Sequence, residues 1–385
     1  MGRPTRRRLL AGGAAAATLL AGCTSTDTSD DGTPTGTPAE TATGTSTPDQ
    51  SYDVEMAPAG TVTLDAPPES VAHYFPGYAD MAVALGHGDT VDSMGVTSRY
   101  HTDIYDEIDG ASVDKESMTT LVGDSGIDKE LFYELDADLH LIDPKWLVNN
   151  SFFGLEESDV EELSESVAPF LGNTIFRRTD SWHDYRYYTL YEAFEKVAQV
   201  HQEEAKFEAF RTLHDEYVAR VQDDLPAEDD RPNALLVFGA SDEPEAFSPY
   251  RVSDQGTNKK QFHDLGITDA LAGTGIEGLS TNDRGQIDYE TMLEVDPDAI
   301  LVRGHETKTE QEFRDTVLAF MESHDVASDL TAVQEGQVFR GGPIYSGPLH
   351  HLFLLERYAT GFFPETFSGE LFDRDRVSDI VAGEN

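Results

Sequence analysis

The 385-residue chain carries 27 basic against 73 acidic side chains, a formal net charge of −46, and so strong a negative field excludes nucleic acid and anionic membrane surfaces as partners. Hydrophobic residues make up 38% of the chain, enough for packed cores, and the length exceeds what one core organises, so two lobes are expected. The acids are spread along the sequence and not gathered in a tail, which points to a surface suited to concentrated salt, where the Debye length shrinks to about 3 Å at 1 M.

At the amino terminus, Arg6, Arg7 and Arg8 precede an apolar run from Leu9 to Ala21. The run is shorter than the roughly 20 residues a bilayer span requires, so residues 1–22 read as a signal peptide. Paired arginines directly before such a run predict export by the twin-arginine route. Leu20-Ala21-Gly22-Cys23 resembles a lipobox, which makes Cys23 the lipidated first residue of the mature chain. Cys23 is also the only cysteine, so an intrachain disulfide, a cysteine nucleophile and a thiolate-bound cluster are excluded. Residues 23–57, rich in Thr, Ser, Pro and Asp, predict a solvated tether. The expected location is the outer face of the cytoplasmic membrane, with the lipid as the only membrane contact.

The folded body is expected from residue 58. The stretches from Ala84 and from Asp264 each end a helix at Leu-Gly and turn, a weak echo between the two halves of the chain. Gly123-Asp124-Ser125-Gly126 then matches the start of a chymotrypsin-like nucleophile loop. That enzyme class needs an all-β double barrel with a histidine loop ahead of the serine, whereas helix and strand alternate here. An internal repeat explains the stretch instead. Ile127–Ile142 and Ile287–Val302, offset by 160 positions, share seven of sixteen residues, among them Glu130 with Glu290, Asp136 with Asp296 and Asp138 with Asp298. In both copies Ile-Asp starts a helix, Asp-x-Asp ends it and an apolar run begins a buried strand.

Residues 58–185 form the expected N-terminal α/β lobe, residues 186–228 the linking helices and residues 229–385 the C-terminal α/β lobe. Leu190, Phe194, Val197 and His201 keep one helical face. After a polar break, Phe207, Phe210, His214, Tyr217 and Val221 resume a stripe on another phase. The second of these helices, from about Gln202 to Asp224, would measure about 33 Å. The fold class predicted is α/β: two Rossmann-like lobes joined by a single long helix, with a ligand cleft between them.

In such sheets ligands bind at the carboxyl ends of the strands. The loops expected there carry His73, Tyr74, Tyr78, Arg99, Tyr100, His101 and Trp146 in the first lobe, and Tyr250, Arg251, Lys259, Lys260, Arg303, His305, Arg340 and Tyr345 in the second. With basic residues so scarce, arginines just past apolar strands are informative. Their forks suit carboxylate, hydroxamate or catecholate oxygens, and aromatic rings suit a bulky chelate. The twelve histidines are scattered, with no His-rich loop, so a resident metal is not expected, and His350-His351 read as part of the last helix. No Gly-x-x-x-x-Gly-Lys loop, Gly-x-Ser-x-Gly elbow or His-Glu-x-x-His helix occurs, which leaves an exported hydrolase as a remote rival.

This order of elements, with the paired helix, Asp-x-Asp, strand segments, resembles the helix-linked class of substrate-binding proteins of ABC importers for ferric siderophores, haem and cobalamin, in a haloarchaeal variety. The resemblance spans about Pro58 to Phe372. It implies a monomeric binding protein without catalysis or a cofactor of its own, whose cargo is an iron(III) chelate and whose partners are a permease and its ATPase. It further implies that Glu130 and Glu290, one per lobe, dock onto arginine pockets of the permease. Cobalamin or haem is the runner-up cargo; haem would take a Tyr or His axial ligand such as Tyr74, His101 or His305. The sequence departs from the class in two long insertions bordering the expected cleft, Arg99–Asp124 and Phe238–Gly266.

Overall fold

The computed structural model of the protein describes residues 51–278, 280 and 285–384. The signal segment, Cys23 and the tether up to residue 50 lie outside the described residues. Structure starts with an antiparallel hairpin of β1 (Tyr52–Met56) and β2 (Gly60–Leu64). Its alternate residues Val54, Met56, Val62 and Leu64 are buried, which suffices to order a segment that begins upstream of the first lobe.

In the N-terminal lobe, β3 (Val71–His73) leads into α1 (Pro76–Ala84), a helix buried along its whole length with proline in its first turn. β3 pairs in parallel with β8 (Leu139–Leu141) on one side and bridges at Val71 to Val91, just ahead of β4 (Ser93–Met94), on the other. β4 in turn pairs in parallel with β5 (Thr119–Thr120). Parallel strands with helical crossovers put both faces under cover, in keeping with the unbroken burial of β3, β4 and β8.

β6 (Val122–Gly123) and β7 (Gly126–Ile127) make a tight hairpin whose tip is Asp124-Ser125. The Gly-Asp-Ser-Gly sequence is therefore a turn: Gly126 has φ +113° and a Cβ there would meet the carbonyl oxygen of Phe152 at 2.5 Å, so glycine is required. Ser125 is exposed.

The repeat extends to individual hydrogen bonds. α2 (Glu130–Leu135) and, in the second lobe, α8 (Tyr289–Val295) each end on an aspartate in the left-handed region, Asp136 at φ 48° and Asp296 at φ 46°. Each helix start is held by the preceding aspartate: Asp128 accepts from the amide of Glu130 at 3.0 Å and Asp288 from that of Thr291 at 2.9 Å. Each following aspartate clamps the start of the neighbouring strand, Asp138 through the amide of Ser70 at 3.2 Å and Asp298 through that of Asn233 at 2.9 Å.

After α3 (Pro144–Asn149) and α4 (Glu157–Ser166) come the linking helices α5 (Leu190–His201) and α6 (Glu204–Asp223). α6 starts two residues later than its apolar stripe predicts, because Gln202, at φ 57°, caps α5 in the left-handed region and turns the chain. Its 20 residues give about 30 Å.

In the C-terminal lobe, β9 (Asn233–Phe238) is central. One edge meets the antiparallel β10 (Ser248–Tyr250) and, beyond α7 (Lys260–Asp264), the parallel β11 (Thr268–Asp269). The other edge meets β12 (Ala299–Arg303), itself paired with β13 (Val338–Arg340), both in parallel. Along β9, Leu235 and Val237 join one core while Ala234 and Leu236 join the other, shared with the linking helices and the first lobe. α9 (Glu310–Phe313), α10 (Ala319–Ser323) and α11 (Thr331–Gln334) cover the first of these faces. α12 (Pro348–Phe362) and α13 (Arg374–Ala382) run back over α1, and α13 also packs on α6.

One buried carboxylate ties α12 to the first lobe. Asp80 of α1, fully buried, accepts from the amides of Leu349 at 2.8 Å and His350 at 3.3 Å, from the Tyr105 hydroxyl at 2.7 Å, and pairs with His350 Nδ1 at 2.8 Å. A side chain on Gly347 would collide with it at 2.5 Å. Burial acts to lower the His350 pKa, but the Asp80 charge outweighs it and the imidazole is held above its ordinary range. Asp80→Ala leaves the buried His350 ring and the first amides of α12 without their partner, and is expected to lower stability by about 3–5 kcal/mol, measured by denaturant unfolding in molar salt.

Candidate ligand cleft between the lobes

The loops after the strands of both lobes face one another, and between them lies a cavity of about 260 Å³. The first lobe supplies Ser98, Arg99 and His101; the second supplies Ala240 after β9, Gly304 and Glu306 after β12, and Gly342 after β13. An adjoining cavity of about 420 Å³ shares His101 and Glu306 and adds Arg340, His350 and Arg357. Together they fall in the size range of small-molecule sites. Glu306 is the acid common to both cavities. Burial acts to raise its pKa, but the Arg357 guanidinium at 2.8 Å, aided by Arg340 and His101, holds it below the usual carboxylate range.

Behind the open cavity the lobes touch along an aromatic seam. Tyr74, Phe75, Trp146 and Phe176 come from the first lobe and Tyr345 from the second, with centroids of 5.8 Å for Tyr74 with Trp146, 5.4 Å for Phe75 with Tyr345 and 4.8 Å for Phe176 with Tyr345. The seam is closed: the Thr257 amide donates to the Ile175 carbonyl at 3.0 Å, and a Cβ on Gly256 would meet the Phe176 oxygen at 2.2 Å.

Cations gather at this seam. The Arg177 guanidinium lies 5.2 Å from the Phe176 ring and pairs with Asp180 at 2.9 Å. Arg303 is fully buried, 4.8 Å over the Tyr250 ring, and donates to the carbonyls of Gly341 at 3.2 Å and Asn258 at 2.5 Å. Lys259 is 1% exposed. Burial first, then the neighbouring charge of Arg303, pushes its pKa down to about 7. Among the described residues neither Arg303 nor Lys259 forms an ion pair with a carboxylate.

The other nominated side chains are committed inside the fold. The Tyr78 hydroxyl donates to the Asn173 carbonyl at 2.9 Å and accepts its amide at 3.0 Å. Tyr100 shares a 2.9 Å hydroxyl contact with Tyr105 in the Asp80 network. Arg251 pairs with Asp269 at 2.9 Å, and His305 Nε2 donates to the Gly239 carbonyl at 2.6 Å. Arg340 donates to the Lys308 carbonyl while lining the larger cavity. Sequence reasoning missed Arg177, although Phe176-Arg177 follows an apolar run in the same way as the arginines it did select. It also missed Glu306, which follows β12 closely.

Glu130 and Glu290 are both exposed, each in the first turn of its repeat helix. Among the described residues neither carboxylate makes an ion pair. No helix among these residues is long and apolar enough to cross a membrane.

A family profile described as "Periplasmic binding protein" matches residues 71–345. None of the curated proteins matches the chain significantly. Among solved structures, the petrobactin-binding protein YclQ from Bacillus subtilis is 16% identical, with a TM-score of 0.55 over 82% of this chain and 99% of its own. The iron uptake ABC transporter substrate-binding protein PiuA from Streptococcus pneumoniae is also 16% identical, with a TM-score of 0.55 over 79% of this chain and 96% of its own. The siderophore-binding protein BauB, bound to two molecules of acinetobactin and ferric iron, is 18% identical, with a TM-score of 0.54 over 81% of this chain and 99% of its own.

Proposed function

The chain belongs to the periplasmic binding protein family, and from that premise we propose that it captures an anionic iron(III) chelate outside the cytoplasmic membrane and hands it to an ABC permease, without catalysis of its own. The observation that carries this reading is the buried pair of cations, Arg303 and Lys259, without carboxylate partners among the described residues, in a chain where acids outnumber bases 73 to 27. Burying unpaired charge is costly, and a ligand bringing several oxyanions offsets that cost. Aromatic rings alongside give the organic shell of such a chelate a surface to stack on. The iron-uptake and siderophore-binding names of the similar structures support the same cargo class.

In this reading the closed seam parts to admit the chelate, Arg99 and Arg340 meet it from the rim, and Lys259, Arg177 and Arg303 neutralise it within. Glu130 and Glu290 dock the loaded protein on its permease. A signal peptide and a lipid on Cys23 bring the chain to that location, and the charge of −46 suits molar salt.

Proton linkage tests the site. An anion beside Lys259 favours the ammonium form, so binding raises a pKa that stands at about 7 in the free protein. Affinity is therefore greatest below about pH 7 and falls by up to about tenfold per pH unit above it. Calorimetry at pH 8 in two buffers of different ionisation enthalpy should find proton uptake with a ferric tricatecholate. Binding without proton uptake would remove Lys259 from the site.

A further inference from the structure

Sequence positions 214, 264 and 351 converge outside the set of residues that line the two cleft cavities. His214 on α6, Asp264 at the end of α7 and His351 in the first turn of α12 place their ligand atoms within 4.8 Å of one another. All three are shielded, with side chains 6%, 13% and 1% exposed. His351 Nε2 already contacts Asp264 Oδ2 at 2.8 Å, and Lys260 Nζ reaches the two oxygens of Asp264 at 3.0 and 2.8 Å.

Two further observations point to a ligand. Asp215 holds His214 Nδ1 at 2.9 Å, and a carboxylate there fixes the tautomer that leaves the Nε2 lone pair free, the arrangement found behind metal-bound imidazoles. That Nε2 is buried with no hydrogen-bond partner among the described residues, which is unusual for a buried polar atom. The Tyr191 ring lies 4.1 Å from the His214 ring, and its hydroxyl too is buried without a partner. A cavity of about 530 Å³ lined by His214, Asp264, Lys260 and Tyr191 gives access and room for a water as an additional ligand.

We infer that His214, Asp264 and His351 form a binding site for a divalent transition ion of the zinc class, at the joint between the linking helix and the C-terminal lobe. Two imidazoles and one carboxylate with an open position suit zinc, and disfavour calcium and magnesium, which take all-oxygen shells. On binding, His351 moves its proton from Nε2 to Nδ1, the Nε2 lone pair turns to the metal, and Asp264 exchanges its contact with Lys260 for the ion. Because α6, α7 and α12 each supply one ligand, the ion would pin the linking helix to the second lobe. The three ligands line neither of the two cleft cavities, and the proposal stands or falls independently of the cargo.

The test uses the body from Tyr52 onward in molar salt with excess magnesium to occupy surface carboxylates, zinc stoichiometry by mass spectrometry after dialysis, and cobalt(II) as an optical probe. One zinc per chain and a visible cobalt spectrum of four-coordinate intensity are expected. His214→Ala should lose stoichiometric zinc, Asp215→Asn should weaken it by about 10- to 100-fold, and Lys260→Gln, which removes the competing ammonium, should tighten it. Absence of zinc from the wild-type body overturns the site, as does equal binding by folded His214→Ala. Should His214→Ala fail to fold, unchanged affinity in both Asp215→Asn and Lys260→Gln overturns it.

Discussion

Reversing both repeat glutamates together, Glu130→Lys with Glu290→Lys, is expected to abolish chelate uptake by whole cells while the purified body binds the chelate as before. Both side chains are exposed, sit at matching positions of a duplicated element and lie outside the residues that line the cleft. A glutamate in a first helical turn interacts favourably with the helix dipole by only about 0.3–1 kcal/mol, so reversal leaves the lobes folded. In the proposed docking, two acids on two lobes would let a permease grip each lobe and draw them apart, and each single reversal should give a partial defect. Transport assays on cells carrying the variants, with calorimetry on the purified bodies, separate the two effects. A fall in chelate affinity would show that these glutamates act on the cleft and not on a partner.

The second large effect has opposite signs in stability and binding. Lys259 is buried beside Arg303, and its depressed pKa reflects burial and that repulsion. Lys259→Met removes a cation that the free protein accommodates at a cost, so the melting temperature in molar salt should rise. The same change removes a charged contact worth about 1.5–3 kcal/mol to an anionic ligand, a loss of roughly 10- to 150-fold in affinity. A merely structural lysine would not couple gain in one to loss in the other. Unchanged affinity in the more stable variant would dismiss the cation pair as the ligand's counter-charge.

The duplication was legible because backbone geometry leaves marks in sequence. Only a few residue types tolerate the left-handed region, and Asp136 and Asp296 occupy it in both copies; Asp138 and Asp298 recur because each must cap a neighbouring strand. The two-lobed α/β fold and the stripe on α6 followed from the same periodic signals. The roles of single cations did not. Arg251 and Arg303 look alike in sequence, each just past an apolar strand, yet Arg251 finds Asp269 eighteen residues later while Arg303 is left with carbonyls and a tyrosine ring. Partners that far along the chain are set by packing, and no local pattern encodes them. The same holds for His214, Asp264 and His351, whose scatter along the chain concealed their convergence.

The central claim is that the seam between the lobes opens for an anionic ferric chelate. Trp146 lies in that seam and Trp182 packs against it at 6.2 Å, and these are the chain's two tryptophans, so intrinsic fluorescence reports directly on the place in question. Titrating the body from Tyr52 onward in molar salt with ferric catecholates, ferric hydroxamates, haem and cobalamin should give saturable one-to-one quenching by a ferric chelate, strongest for the most negatively charged. No response to any ferric chelate, with haem instead binding and showing a Soret band, would contradict it.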